Sequence, residues 1–448
     1  MFRKLLDFSS NSTTDLLYRI DALFGCIYLK NAGEDIVAFS PEQYCISIQQ
    51  QLSCYTRNHF THYQKDKADP HLSHFFNFSS QSAPKQHAFQ GGYMGFIDYN
   101  YASQQHIDAT TKSQPNFYMG VYKTFIKREN EQFFFYSLEA CAEEFFNFIQ
   151  DLLTRPVTQN QSFKLLSNCT ATWTKPQYDQ AFTQVQEYIK AGDCYQINLT
   201  QEFTAKAQGL LLDTAENFWT LTDAPYSGYL KINDFELLSC SPELFIDFEA
   251  DRKIITKPIK GTMPRYDDPT LDAQSKNALI HSKKDQAENV MIVDLLRNDL
   301  SIYAETGSVK TPKLFNIESF NQVHHMVSEV TAILKPDVNP FNVLFSALPG
   351  GSITGAPKIR AMQIIEELES APRGAYCGSL GYFNFDGTGS WNILIRSIQK
   401  YQDDVSLWAG GGITIASDCD AEYQECFDKV AAMLDLLNTT WHQPQHES

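Results

Sequence analysis

Positive charge is scarce in this chain: 36 Lys and Arg stand against 53 Asp and Glu, a formal net charge of −17 over 448 residues. That balance argues against nucleic acid or an anionic membrane surface as a partner. No eighteen apolar residues run together, so no segment is expected to span a membrane. The opening stretch MFRKLLDFSSNSTTDLLYRI lacks an apolar core followed by small residues, the pattern of a secretory leader. Ten cysteines include no C-x-x-C pair. The thiols are therefore expected to be reduced and mostly buried, with neither a disulfide framework nor a zinc site. Cytoplasm follows as the expected compartment. Repeats and low-complexity segments are missing too.

What remains is ordinary globular material, 43% hydrophobic with 22 Gly and 18 Pro, enough for a large core. Residues 1–165 are aromatic-rich, and in FQGGYMGFIDYNY the pair Gly91 and Gly92 reads as a turn opening a strand. The polar stretch TRPVTQNQS at 154–162 reads as a connection to the second region, 170–440. There Tyr178, Phe182, Val185 and Ile189 recur at helical spacing and stop at Gly192. CYQINLTQEF reads as a strand, and YSGYLKI with FELLSCS as a hairpin across Asn233 and Asp234. Residues 283–297, 356–369 and 421–437 read as helices, with YCGSLGYFNFDG, NILIRSI and VSLWAGGGIT as strands between the last two. Strands broken by helices without strict alternation predict an α+β architecture rather than a doubly wound sheet.

Several short stretches carry chemistry. In KPIKGT, Pro258 fixes its own φ and Gly261 opens backbone shapes closed to other residues. Lys260, held between them, is either a surface residue on a turn or an amine aimed at a target. KKDQAEN sets Asp285 and Glu288 three residues apart, and DAEYQEC does the same with Glu422 and Glu425. On a helix each pair shares a face and repels, so each is a solvated face or a cation site. Carboxylates converging from two helices would suit Mg2+, which usually takes one or two of them, keeps waters and meets an anionic substrate group. GGSITGAPKIRAMQII reads as a glycine-rich turn, then Pro357 at a helix start whose open amides attract anions. It is not a Walker loop, since no Ser or Thr follows Lys358. Gly410 to Gly412 end a strand where backbone can approach a ligand. Arg396 in NILIRSI would be a buried cation needing an acid, from a structural salt bridge or from a ligand. His325 in QVHHMVSEV is, taken alone, a core or surface histidine.

From about residue 173 to 437 these stretches occur in a familiar order. GDCYQINLTQ, SPELF, PIKGT, KDQAENVMIVDLLRNDL, HHMVS, GGSITGAPKIRAM, CGSLGYF, AGGGI and AEYQE together resemble the chorismate-utilising enzymes. That family includes the anthranilate, aminodeoxychorismate, isochorismate and salicylate synthases. The resemblance implies two large antiparallel sheets in a sandwich with helices packed outside, residues 1–165 and 170–440 forming one intertwined unit. Some relatives bind tryptophan in the N-terminal half. Where isochorismate and salicylate synthases carry a water-activating lysine, this chain has Gln196; where anthranilate synthases carry alanine, it has Lys260. The lysine form resembles the branch that makes 4-amino-4-deoxychorismate from chorismate and ammonia, with that lysine as nucleophile.

By the same resemblance Glu243 is the general acid, His325 the active-site histidine, and Glu288 and Glu425 direct Mg2+ ligands supported by Asp285 and Glu422. Arg396 and Tyr382 would grip a substrate carboxylate, with Gly261, Thr262, Ser352, Gly410, Gly412 and Gln196 around the substrate and Lys358 adding positive charge. Ser390 and Trp391 stand where relatives carry Asp and Thr. No glutaminase segment is recognisable, so ammonia is expected from a separate glutamine amidotransferase subunit. At a reference pKa near 10.4 only about one lysine in a few thousand is neutral at pH 7. Lowering it by about 3 units takes about 4 kcal/mol, which burial and a nearby Mg2+ could supply. An anthranilate synthase that carries lysine, and a non-catalytic chorismate- or tryptophan-binding regulator, are the alternatives.

Overall fold

The computed structural model describes residues 1–31, 33–67, 72–78, 88–155, 162–320 and 323–440. The hairpin expected around Asn233 and Asp234 forms between Tyr226–Ile232 and Phe235–Ser241 and lies inside a 13-stranded antiparallel sheet. One side of it pairs with Cys26–Asn31 from the start of the chain. The other pairs with Ser397–Tyr401, and the sheet continues through Asp404–Ile413 to the long strand Gln196–Gln208. A second, 12-stranded sheet sets Gly92–Ile97 and Pro115–Tyr122 beside Ser379–Asn384. It then runs through Gly389–Asn392, Leu244–Phe248 and Lys253–Thr256 to Val323–Ile333.

Alternation along these strands decides what each face meets. Ile27, Leu29, Leu230 and Leu237 of the first sheet share one apolar cluster with Met94, Phe96 and Tyr118 of the second, so the sheets pack face to face. Each such side chain, fully buried, contributes about 1.5–3 kcal/mol. The outer faces are helix-covered. Leu16 and Leu17 from Thr13–Ile20, with Phe145 and Ile149 from Ala142–Thr154, cover the first sheet. Phe341 and Leu344 from Pro340–Ala347 meet Ile97, Phe117 and Met119 on the second. The fold is thus the expected α+β sandwich with helices outside.

Helices form at Lys175–Ala191, closed by Gly192 in the left-handed region (φ +83°), at Lys283–Ser301 and at Lys358–Leu368. Three expectations need correction. The single helix over 421–437 is two, Cys419–Asp428 and Ala431–Asn438, parted at Val430, whose φ of −125° is not helical. NILIRSI is not one strand: pairing stops at Asn392 and resumes at Ser397, and Arg396 between them has φ +49°. The cysteines are not all thiols, because Cys45 and Cys54 are joined. They stand directly opposite each other on Gln43–Ile48 and Gln51–His59, with Cα atoms 4.1 Å apart. Such opposition depends on hairpin register, and here the turn is made by Gln49 and Gln50, both with positive φ but neither a usual residue for it. The other eight cysteines are free. Of the stretch 154–162, residues 156–161 lie outside the described residues. Among the described residues no helix is long and apolar enough to cross a membrane.

Candidate active site

Pairing makes the site possible. Ser397–Tyr401 covers its neighbour only as far as Leu407, so beyond that residue one edge of Asp404–Ile413 is open. A cavity of about 410 Å³ lies against this edge. Gly410 offers its carbonyl there, accepting from Lys429 Nζ at 2.8 Å. Gly412, two residues on, faces the same way.

Lys260 reaches the cavity through a bulge. Ile259 pairs with Val327 and Thr262 with His325, so the lysine strand holds one residue more than its partner. A bulge of this kind re-aims a side chain. Gly261 within it has φ +86°, and a Cβ there would stand 2.8 Å from Asp285 Cγ. Only glycine allows both that backbone and that approach. Lys260 Nζ donates to the Ser352 carbonyl at 3.2 Å, and Ser352 Oγ donates to Glu243 Oε1 at 3.4 Å. Ser352, in the short turn Gly351–Ile353, therefore bridges the amine and the acid.

The ionisation of these groups is displaced in useful directions. Burial pushes the Glu243 carboxyl up to about 7, against the pull of the Lys260 cation. Burial, and then repulsion from Lys429, lower the Lys260 amine from its ordinary value, while Glu288, Glu243 and Glu425 oppose the change. His325 is brought down to about 4 by burial, with Arg396 and His324 adding to it, so the ring is neutral at pH 7. Its Nδ1 lies 2.8 Å from Thr262 Oγ1. Arg396 lines the cavity in a strained left-handed conformation. Among the described residues no carboxylate pairs with it, so the structural salt bridge is not what holds it there.

Asp285 and Glu288 enter from Lys283–Ser301, and Glu422 and Glu425 from Cys419–Asp428. A Cβ on Gly411 would lie 2.9 Å from Glu422 Oε2 and 3.2 Å from Glu425 Oε1, so both carboxylates press on one glycine. Burial raises the pKa of Glu288 and of Glu422, and neighbouring acids raise both further. Among the described residues no three acids, histidines or cysteines are drawn into a ready-made metal cluster. Glu425 is instead held by Lys429 at 2.6 Å. Mg2+ asks for only one or two carboxylates and fills its shell with waters and substrate oxygens, so this wall fits it.

The structure thus gathers Glu243, Lys260, Gly261, Thr262, His325, Ser352 and Arg396 with the four acids and the two glycines. Three expected residues stand elsewhere. Tyr382 is buried between the sheets, its ring 5.5 Å from Phe89, and it lines a different cavity. Its strand alternates, and the even positions face the sandwich core. Lys358 is paired with Asp299 at 3.1 Å and bonded to the Ala347 carbonyl, so its charge is neutralised away from the site. Gln196 lies behind Gly412, where a Cβ would meet its Nε2 at 2.3 Å, and does not line the cavity. The sequence reading also missed Tyr376, stacked on Trp408 at 5.9 Å, and Lys429. Lys429 carried a signal, since it lies four residues after Glu425 on the same helix face.

The family profile described as chorismate binding enzyme matches residues 26–435. Aminodeoxychorismate synthase component 1 of Salmonella typhimurium is 47% identical over 275 residues, 61% of this chain and 60% of that protein. The protein of that name from Escherichia coli K12 is 40% identical over 357 residues, 78% and 77% of the two chains. The chain therefore spans about three fifths of the Salmonella relative's length. Anthranilate synthase component I from Streptococcus pneumoniae TIGR4 superposes with a TM-score of 0.77 at 26% identity, covering 90% of this chain and 92% of that one.

Proposed function

The chain belongs to the chorismate binding enzyme family, and on that premise we propose that it is the chorismate-transforming component of an aminodeoxychorismate synthase. The observation that carries this reading is Lys260, turned by its bulge into the cavity and joined through Ser352 to Glu243. In this reading the Lys260 nitrogen bonds to ring carbon C2 while the C4 hydroxyl leaves as water, taking a proton from Glu243 as the ring double bonds shift. Ammonia then bonds to C4, and the C2–N bond breaks, returning its electron pair to the lysine. Two allylic displacements replace one unfavourable substitution, the usual gain from covalent catalysis.

Burial supports both roles, because it disfavours the charged form of each group: Glu243 holds its proton near neutrality and Lys260 more readily gives its own up. Arg396 would take a substrate carboxylate, and the open edge at Gly410 and Gly412 would border the ring. Glu288 and Glu425, with Asp285 and Glu422 beside them, would hold Mg2+, which when bound supplies positive charge for an anionic substrate group. Local cations of this kind answer the chain's net charge of −17. A glutamine amidotransferase partner would supply the ammonia, as the relatives' designation "component 1" supports.

Incubation with chorismate, Mg2+ and ammonium should give 4-amino-4-deoxychorismate. Intact-mass spectrometry after a chorismate pulse should detect a substrate-derived adduct on the chain. Fluorescent anthranilate as the main product would replace this reading with an anthranilate synthase.

A further inference from the structure

Lys429 has entered so far only as a neighbour of Lys260, Glu425 and Gly410. It follows the last turn of Cys419–Asp428, four residues after Glu425, and such pairs are common on helix surfaces. This one differs in its second contact. The ammonium stands 2.6 Å from Glu425 Oε1 and also 2.8 Å from the carbonyl of Gly410, on the open strand edge inside the cavity. Two anchors from different elements hold the amine at the edge of the cavity. The helix break at Val430 immediately follows, and Val430 also lines the cavity. The two side chains are 44% and 42% exposed, so the pair can open without unfolding anything.

We propose that Lys429 is a built-in counter-ion that occupies Glu425 until a divalent cation takes the carboxylate, so that metal binding is a displacement. One ion pair breaks, one metal–carboxylate contact forms, and the ammonium withdraws with its protons. The device keeps the acidic wall from standing as several uncompensated charges in an empty cavity. It also sets a threshold, because a resident positive charge opposes the entry of a second.

The inference rests on the reading of Glu425 as a metal ligand, and the test separates the two. Mn2+ binding to the full chain without substrate is read by the EPR signal of the free ion, which needs no turnover. Lys429→Met should bind Mn2+ at least about 5-fold more tightly than the parent, and Lys429→Gln should move the same way. Lys429→Arg keeps the cation and should stay near the parent. Glu425→Gln should weaken binding at least about 10-fold. If Glu425→Gln weakens binding but neither uncharged Lys429 variant tightens it, the counter-ion role is overturned while the ligand assignment stands. If Glu425→Gln leaves binding unchanged, the ligand assignment falls and this inference with it.

Discussion

Two cavities of similar size lie in this molecule, about 410 Å³ beside Lys260 and about 510 Å³ beside Tyr382. Both are lined by several charged side chains, so neither size nor polarity tells them apart. The difference lies in what the charges face. Around the second cavity the lining charges meet partners: Lys30 with Asp223 at 3.7 Å, Glu329 with Lys313 at 2.9 Å, and Glu249 with Lys253 at 2.9 Å. Around the first, Glu425 and Lys429 are paired, but Arg396 has no carboxylate among the described residues, and Lys260, Glu243 and His325 all have ionisation displaced by burial. Unspent charge and shifted protonation gathered in one cleft mark a reactive site better than volume does.

The comparison breaks most sharply at Lys260. Lys260→Ala should lower kcat for aminodeoxychorismate formation by roughly 10³-fold or more, the scale on which loss of a nucleophile acts. Circular dichroism and the melting transition should stay close to the parent, because the side chain meets a backbone carbonyl rather than the core. Retained turnover in this variant would remove the covalent role.

Glu243→Gln comes next, with an expected loss of about 10² to 10⁴. With the carboxyl at about 7, the proton-donating form dominates below that pH. The parent kcat/KM should therefore fall as pH rises through about 7, and the glutamine variant should lack that limb. Stability carries the same signature. The folded chain keeps a proton that an unfolded glutamate releases near pH 4.3, so stability should fall as pH rises from about 4.3 to about 7. Urea titrations at several pH values should find a steeper slope in the parent than in the variant, where Asp98, Glu288 and Glu422 still contribute.

How much of this was legible depended on how local each determinant is. KPIKGT stood out because proline, lysine and glycine act within a few bonds of one another, though the role expected of Lys260 came only with the family resemblance. Each spacing, of Asp285 with Glu288 and of Glu422 with Glu425, is a property of one helix. The α+β class was legible from strand runs and a hairpin with clear punctuation, whereas the two-sheet sandwich came only with the family resemblance. Determinants that live between elements were not. Lys358 was read as a site cation, but whether a lysine is spent depends on Asp299, 59 residues away on another helix. The bond between Cys45 and Cys54 needed a hairpin register that Gln49 and Gln50 do not announce. Lys429 sat in plain view, yet its second anchor on Gly410 exists only once helix and strand meet.

Tyr382 makes the finest test, because the family resemblance implied a place for it at the substrate and the fold puts it on the second cavity. On Ser379–Asn384 it shares the sandwich face with Leu380, packed in the cluster that joins the sheets. Tyr382→Phe keeps that packing and removes one hydroxyl, so stability should drop by about 0.5–1.5 kcal/mol, the worth of a typical hydrogen bond. The chorismate KM and kcat should stay within about twofold of the parent. A tenfold rise in KM would mean that the cavities are coupled rather than separate. The chain offers a route for that: Lys257 lines the second cavity and Lys260 the first, three residues apart across Pro258. A stiff proline between them would pass a displacement at one wall to Lys260 at the other. Silence in the Tyr382→Phe kinetics would instead mean that the two cavities act separately.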